Sequence, residues 1–327
     1  MRRVMLQDLK TNTQDWGRIG ITTVLAIIAL ILFVDWPIWA ECPGKDVQNM
    51  QATGSMVPGV GFDGEFYPPP GSPKKLGILV LGGSDGDIPG RRAKLIAEDG
   101  FPTLALAYFK TKRTPEYLDI IPLEYFDEPI EWLKKNKLTQ GGRIVVIGES
   151  KGAELALLLA SRKPGISGVV AFVPSAVVFQ GIPKNYRPPR SSWSYRGEPL
   201  PFVPYDLKNI PDPGNVLSIY RNSLKQQEAV RRALIPVARI EGPILLFSAA
   251  DDHMWPSVDM SDMIMRTLRD PAFRYPCEHI TYDHAGHTMT EHYMMGGSEE
   301  GNRRARIDST ERMLLFLNKL STTNSDR

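Results

Sequence analysis

Residues 143–161, RIVVIGESKGAELALLLAS, constrain what this chain can fold into more than any other stretch. Ile144, Val145, Val146 and Ile147 form a β-branched run closed by Gly148, the pattern of a short buried strand. Residues 153–161 are made almost wholly of the strong helix formers Ala, Leu and Glu, with few polar positions, and predict a buried helix. Between them stands Gly148-Glu149-Ser150-Lys151-Gly152, a match to G-x-S-x-G. A strand that turns into a helix over so few residues holds its serine in a strained conformation at the strand's carboxyl end. The flanking glycines follow from the same geometry, because a Cβ at either place would collide with the neighbouring strand or helix. The Ser150 hydroxyl then lies near the helix's amino end, whose dipole favours developing negative charge. This pattern predicts a nucleophile at Ser150.

The rest of the chain repeats the alternation of strand and helix. Strands are predicted over 75–81, 102–108, 143–148, 168–172, 243–247 and 278–282. Helices are predicted over 91–99, 123–135, 153–161, 258–268 and 303–320. Such alternation implies a doubly wound, mostly parallel sheet covered by helices on both faces. Ligands bind such sheets at the carboxyl ends of the strands, which is where Ser150 falls. With 327 residues and 42% hydrophobic content the chain can bury a large α/β core. A net charge of +2 gives no reason to expect nucleic acid as a partner. Cys42 and Cys277, the two cysteines of the sequence, exclude a disulfide scaffold and a four-cysteine zinc site.

Residues 1–40 stand apart from this pattern. Arg2, Arg3, Lys10 and Arg18 precede an apolar run over 19–34, which Trp36 and Trp39 follow. The run predicts an N-terminal membrane anchor or a signal segment cut near Ala40; a buried soluble helix is the bland alternative. Basic residues before the run and acidic ones after it place the main domain outside the cytoplasm, in a bacterial cell the periplasm. Residues 41–73 read as a Gly- and Pro-rich linker with an edge hairpin around 64–67, and 74–327 as the catalytic domain. Within it, about 180–240 is an insertion. Residues 181–213 hold eight prolines, and 184–232 hold nine Lys or Arg against four Asp or Glu. It predicts a lid over the site, with Trp193, Tyr195 and Arg196 as substrate contacts; the bland alternative is a solvated, proline-stiffened surface segment.

A serine hydroxyl needs a base, and the base needs a partner that holds its tautomer. In α/β-hydrolases the chain order is serine, acid, histidine. After the strand at 243–247 comes SAADDHMWP, and after the strand at 278–282 comes DHAGH. Asp252, four before Pro256, is the preferred acid over Asp251, which would cap the loop or the next helix. His287, following Gly286, is the preferred base over His284, and His253 and His292 read as surface or supporting residues. No H-E-x-x-H is present, so neither a metal nor a cofactor is expected. The N–H of Lys151 supplies one oxyanion donor, and Gly83 or Ser84, in the LGGSDG loop after the first strong strand, supplies the second. A G-x-G-x-x-G match over 59–64 lies in the linker, with no strand before it and no helix after, and does not read as a nucleotide site.

The blocks ILVLGGSDG, FPTLALAYF, IPLEYFDEPIEWL, VIGESKGAELALLLAS, FVPSAVVFQGI, SSWSYRGEPLPFVP and ADDHMWPS carry a further signal. Together they resemble the carboxyl-terminal catalytic domain of the acyl-CoA thioesterase and bile acid-CoA:amino acid N-acyltransferase family, itself similar to dienelactone hydrolases. The resemblance covers about 61–320 and implies an α/β-hydrolase fold, with the family's nucleophile at Ser150, its acid at Asp252 and its base at His287. It implies hydrolysis of an acyl thioester or ester. Amino-acid-conjugating members carry cysteine as nucleophile, so serine here favours water over an amine as acceptor. Eukaryotic members carry a β-sandwich domain before the catalytic one, where this chain has its apolar segment. Acyl-CoA is not expected outside the cytoplasm, so either the orientation is inverted or the substrate is a different ester. A non-catalytic binding protein that kept the fold is the alternative from another class.

Overall fold

In a computed structural model of the protein, described over residues 50–139, 142–183, 188–208, 215–292 and 295–322, the apolar runs of the sequence build one large sheet. The elements follow in chain order. A hairpin of β1 (Ser55–Met56) and β2 (Gly64–Tyr67) leads to β3 (Gly77–Leu81), α1 (Gly90–Glu98) and β4 (Thr103–Leu106). Next come β5 (Ile121–Pro122), α2 (Asp127–Lys135), β6 (Ile144–Glu149), α3 (Lys151–Ala160) and β7 (Ile166–Phe172). The insertion contributes β8 (Trp193–Tyr195), β9 (Glu198–Pro199), α4 (Val216–Ser223) and α5 (Gln227–Ala233). The chain then forms β10 (Ile244–Ala249), α6 (Ser257–Leu268), β11 (Cys277–Tyr282) and α7 (Glu299–Thr322).

Eight strands pair in the order β1-β2-β4-β3-β6-β7-β10-β11. Pairing is antiparallel at β1–β2 and β2–β4 and parallel from β4 through β11. The central strands are buried except at Glu149 and Ser167, which are half-buried, and their side chains divide with period two between two apolar layers. Leu79, Leu81, Ile144 and Val146 pack with α2, α3 and α6 through Leu133, Leu155 and Ile264. Ile78, Val80, Val145 and Ile147 pack on the other face with α1 and α7 through Ile96, Ala305 and Leu317. Helices therefore cover both faces, as the strand–helix alternation predicts.

Two local differences from the sequence expectation have physical reasons. The helix expected over 123–135 is a 3₁₀ turn (Leu123–Phe126) followed by α2 from Asp127. Pro129 has no N–H and its ring crowds the carbonyl four residues back, so α-geometry begins only where proline falls in the first turn. The insertion is a packed unit. β5, β8 and β9 form a small separate sheet, and Phe179, Trp193 and Val203 are wholly buried. The anchor expected over 19–34 lies outside the described residues; within them no helix is long and apolar enough to cross a membrane.

Candidate active site

Ser150 follows the last residue of β6 and precedes the first residue of α3, with φ 53° and ψ −119°. A non-glycine residue in that region is strained and persists only when its surroundings enforce it. They do so through backbone contact. A Cβ on Gly148 would lie 2.0 Å from the Gly152 carbonyl oxygen, and one on Gly152 would lie 2.1 Å from that of Gly82. The Ser150 N–H donates to the Phe172 carbonyl at 3.0 Å, tying the turn to β7.

The loops after β10 and β11 bring the acid and the imidazole to this turn. His287 Nε2 stands 2.9 Å from Ser150 Oγ, across 137 residues of sequence. His287 Nδ1 lies 3.0 and 2.9 Å from the two carboxylate oxygens of Asp252. Asp252 is itself oriented by the N–H groups of Met254 and Trp255, which donate to Oδ1 at 2.9 and 3.1 Å. All three residues are buried, Ser150 8% exposed and the other two 5%. Asp251 serves as a loop tie, accepting from the Gly297 N–H at 2.9 Å and lying 3.0 Å from His253. His253, His284 and His292 are exposed. Trp255, which the sequence reading passed over, packs edge-on against the His287 ring, centroids 5.6 Å apart. Its indole N–H donates to the Val173 carbonyl, so the imidazole has a fixed wall.

The loop after β3 closes the other side. A Cβ built on Gly83 would lie 3.5 Å from that of Ser150, so this backbone runs beside the hydroxyl. The Tyr108 hydroxyl donates to the carbonyls of Gly82 and Gly83 at 2.7 and 3.0 Å. Because C=O and N–H point opposite ways across a trans peptide, this turns the N–H groups of Gly83 and Ser84 away from Tyr108. Lys151 opens α3, so its N–H belongs to the unsatisfied first turn of that helix. Its side chain is buried and pairs with Glu154 at 2.6 Å. Glu154 also accepts the indole N–H of Trp193 at 2.7 Å. Burial pulls the Lys151 ammonium down in pKa and pushes the Glu154 carboxyl up, each opposed by the other's charge.

Glu149, the last residue of β6, pairs with Arg92 of α1 at 3.0 Å. Arg92 in turn lies flat over Phe172, 3.8 Å from the ring centre. Burial pushes the Glu149 carboxyl up to about 7, with Arg92 and then His287 opposing the rise. Arg92 and Glu149 line one cavity together with His287.

The three insertion residues expected at the substrate lie apart from His287. Trp193 is fully buried, its N–H committed to Glu154, and Tyr195 and Arg196 line a separate surface hollow with Glu124, Arg162 and Lys163. None of the three lines the cavity that reaches His287. The insertion reaches the site through Trp255, on which Phe179 stacks at 6.0 Å and Tyr220 packs edge-on at 5.5 Å.

This architecture can be set against known proteins. The family model for the BAAT / acyl-CoA thioester hydrolase C terminal matches residues 121–319. The chain belongs to that family. Acyl-coenzyme A thioesterase 6 of Mus musculus is 30% identical over 275 residues, covering 78% of this chain and 62% of that protein. Acyl-coenzyme A thioesterase 1 of Homo sapiens is 27% identical over 274 residues, with 78% and 62% covered. This member of the BAAT / acyl-CoA thioester hydrolase family thus spans about three-fifths of the length of those relatives. Solved structures agree on the fold. A puromycin-hydrolyzing peptidase of Mycobacterium tuberculosis matches with a TM-score of 0.55 at 13% identity, over 84% of this chain and 40% of that one. The dienelactone hydrolase-like phosphotriesterase P91 from metagenomic libraries matches at 0.50 and 15% identity, over 82% and 98%. The chain has the α/β-hydrolase fold that its sequence blocks imply.

Proposed function

We propose that this chain is a serine acyl hydrolase of the acyl-CoA thioesterase type, cleaving a thioester or ester through an acyl-enzyme. The observation that carries the reading is the unbroken line from Ser150 Oγ through His287 to Asp252, each step at 2.9 to 3.0 Å. Ser150 attacks the carbonyl carbon while His287 Nε2 takes its proton and then returns it to the departing sulfur or oxygen. Asp252 keeps the Nδ1 proton in place and stabilises the imidazolium. Backbone N–H groups of Lys151 and of Gly83 or Ser84 receive the oxyanion, an interaction for which each donor typically contributes roughly 3–4 kcal/mol. Water, activated by the same imidazole, then releases the acyl group.

The family supports acyl-CoA as the substrate class. The order of basic and apolar residues in 1–34 supports an anchored domain outside the cytoplasm, where a different ester would be the substrate. Offering the full chain a panel of acyl-CoAs beside p-nitrophenyl esters separates the two. Ser150→Ala is expected to lower kcat roughly 10⁶-fold on whichever is cleaved. A fluorophosphonate probe should label the native protein alone. Turnover by a folded Ser150→Ala protein would exclude the mechanism.

A further inference from the structure

An imidazole that takes a proton becomes a cation, and Asp252 faces His287 from the Nδ1 edge. A second carboxylate shares its surroundings. Glu149 lines a cavity together with His287 and directly precedes Ser150 in the chain. Arg92 holds its Oε2 at 3.0 Å and lies over Phe172, whose carbonyl accepts the Ser150 N–H. One guanidinium thus fixes the carboxylate against both segments that border the serine. Oε1 makes no hydrogen bond among the described residues and retains accessible surface. The side chains of Glu149 and Arg92 are 14% and 10% exposed, so solvent screens this charge far less than it would at the surface. The charged groups around Glu149 are Arg92 on α1, His287, and Asp85 in the loop after β3. Arg91 on α1 and Arg306 on α7, the latter matched by Glu291, border the same cavity.

We propose that Glu149 is a positioning residue of this hydrolase, held by Arg92 so that its carboxylate favours the imidazolium that His287 forms in each proton transfer. The proposal rests on the hydrolase reading above. In that reading Asp252 orients the ring and fixes its tautomer, while Glu149 adds charge from a second side without touching the reacting atoms. Burial raises the Glu149 carboxyl to about 7, against the opposing charges of Arg92 and His287. The charge is therefore in place above about 7 and is lost to protonation below it. Glu149 and His287 titrate as an interacting pair, and turnover should register both protons.

The test measures kcat/KM of the full chain against pH, on p-nitrophenyl butyrate or the butyryl thioester of N-acetylcysteamine, whichever the native protein cleaves. Both are uncharged, so every ionisation in the profile belongs to the protein. The acid side of the native profile is expected to show two ionisations. In Glu149→Gln it should show one, with kcat/KM at pH 8 about tenfold lower. Glu149→Asp, which keeps the charge, should retain both. A native profile with a single ionisation would overturn the proposal. So would a Glu149→Gln protein that is slower but keeps both ionisations, since Glu149 would then serve packing alone. Arg92→Gln stands in if Glu149→Gln does not fold: one ionisation should move to higher pH, because Arg92 opposes protonation of Glu149, and an unmoved profile overturns the assignment. If the native protein cleaves neither substrate, the hydrolase reading fails. Titration of the His287 ring by NMR, its signal assigned by its loss in His287→Gln, then decides the coupling. Two steps in the native protein and one in Glu149→Gln sustain it; identical curves overturn it.

Discussion

Asp252→Asn is the substitution that probes the arrangement most sharply, because the structure fixes how the new side chain must sit. Oδ1 of Asp252 accepts the N–H groups of Met254 and Trp255. An asparagine keeps both bonds only with its oxygen in that place, since an amide nitrogen there would face two donors. Its nitrogen then takes the position of Oδ2, which is 2.9 Å from His287 Nδ1. That nitrogen, nearer to Nδ1 than the oxygen kept at 3.0 Å, favours the tautomer whose proton is on Nε2, and Nε2 can then no longer accept the Ser150 proton. The expected fall in kcat is about 10⁴-fold, the scale seen where a triad acid is so replaced, or about 5.5 kcal/mol of barrier. Stability should change little, about 1 kcal/mol, because volume and both backbone bonds are kept.

The assay is kcat on a p-nitrophenyl ester beside a thermal unfolding curve, with Asp251→Asn as the comparison. Asp251 is exposed and ties the loop to Gly297, so its replacement should leave kcat within about threefold. A folded Asp252→Asn protein with kcat within tenfold of native would refute the tautomer argument. Loss of turnover in Asp251→Asn alone would move the acid by one residue.

Three further outcomes follow from the geometry. Tyr108→Phe removes the hydroxyl that holds the Gly82 and Gly83 carbonyls; kcat should fall about tenfold with KM little changed, and an unaltered kcat would show that the loop needs no such tie. Gly152→Ala would gain up to about 1 kcal/mol in an ordinary helix. Here the new Cβ meets the carbonyl oxygens of Gly82 and Leu81 at 2.1 and 2.6 Å, so a loss above about 3 kcal/mol in urea unfolding is expected, and a gain would contradict the close approach of α3 to β3. Glu149, buried and raised from 4.5 to about 7, holds its proton more tightly folded than unfolded, so stability is greatest below about 4.5 and declines as pH rises to about 7. That decline is about 3 kcal/mol, and urea midpoints at pH 5 and 8 should show it in the native protein and not in Glu149→Gln.

Much of this was readable from the chain because burial on both faces leaves a plain mark. The runs ILVL, IVVIG and ILLF are apolar at consecutive positions, and each became a central strand. Asp252 was legible because it follows such a strand, and His287 because it follows the edge strand Cys277–Tyr282, in the chain order that a serine nucleophile would require. The insertion residues sit where the pattern carries no such mark. Trp193, in a proline-rich insertion among basic residues, has the composition of a surface lid, yet it fills the core. One sign pointed inward: Glu154 stands in a helix that is apolar but for Lys151, and a buried carboxylate demands donors. The pairing of Glu149 with Arg92 spans 57 residues with no local signal at either end.

The buried Lys151–Glu154 pair explains what the insertion does for the site. Ion pairs removed from water contribute little net stability, but losing one partner of such a pair costs roughly 3–5 kcal/mol, so the arrangement is held in a single geometry. Glu154 binds the Lys151 ammonium, the Trp193 indole and the Phe179 N–H, the last two from the segment after β7. The first turn of α3, which carries the Lys151 N–H beside Ser150, is thereby locked to that segment. The same segment presses Phe179 and Tyr220 on Trp255, and Trp255 on His287. Both halves of the site, the serine turn and the imidazole, are thus braced by one packed unit. The insertion thus braces Ser150 and His287 at 2.9 Å, while α1 and α7 border the cavity that reaches His287.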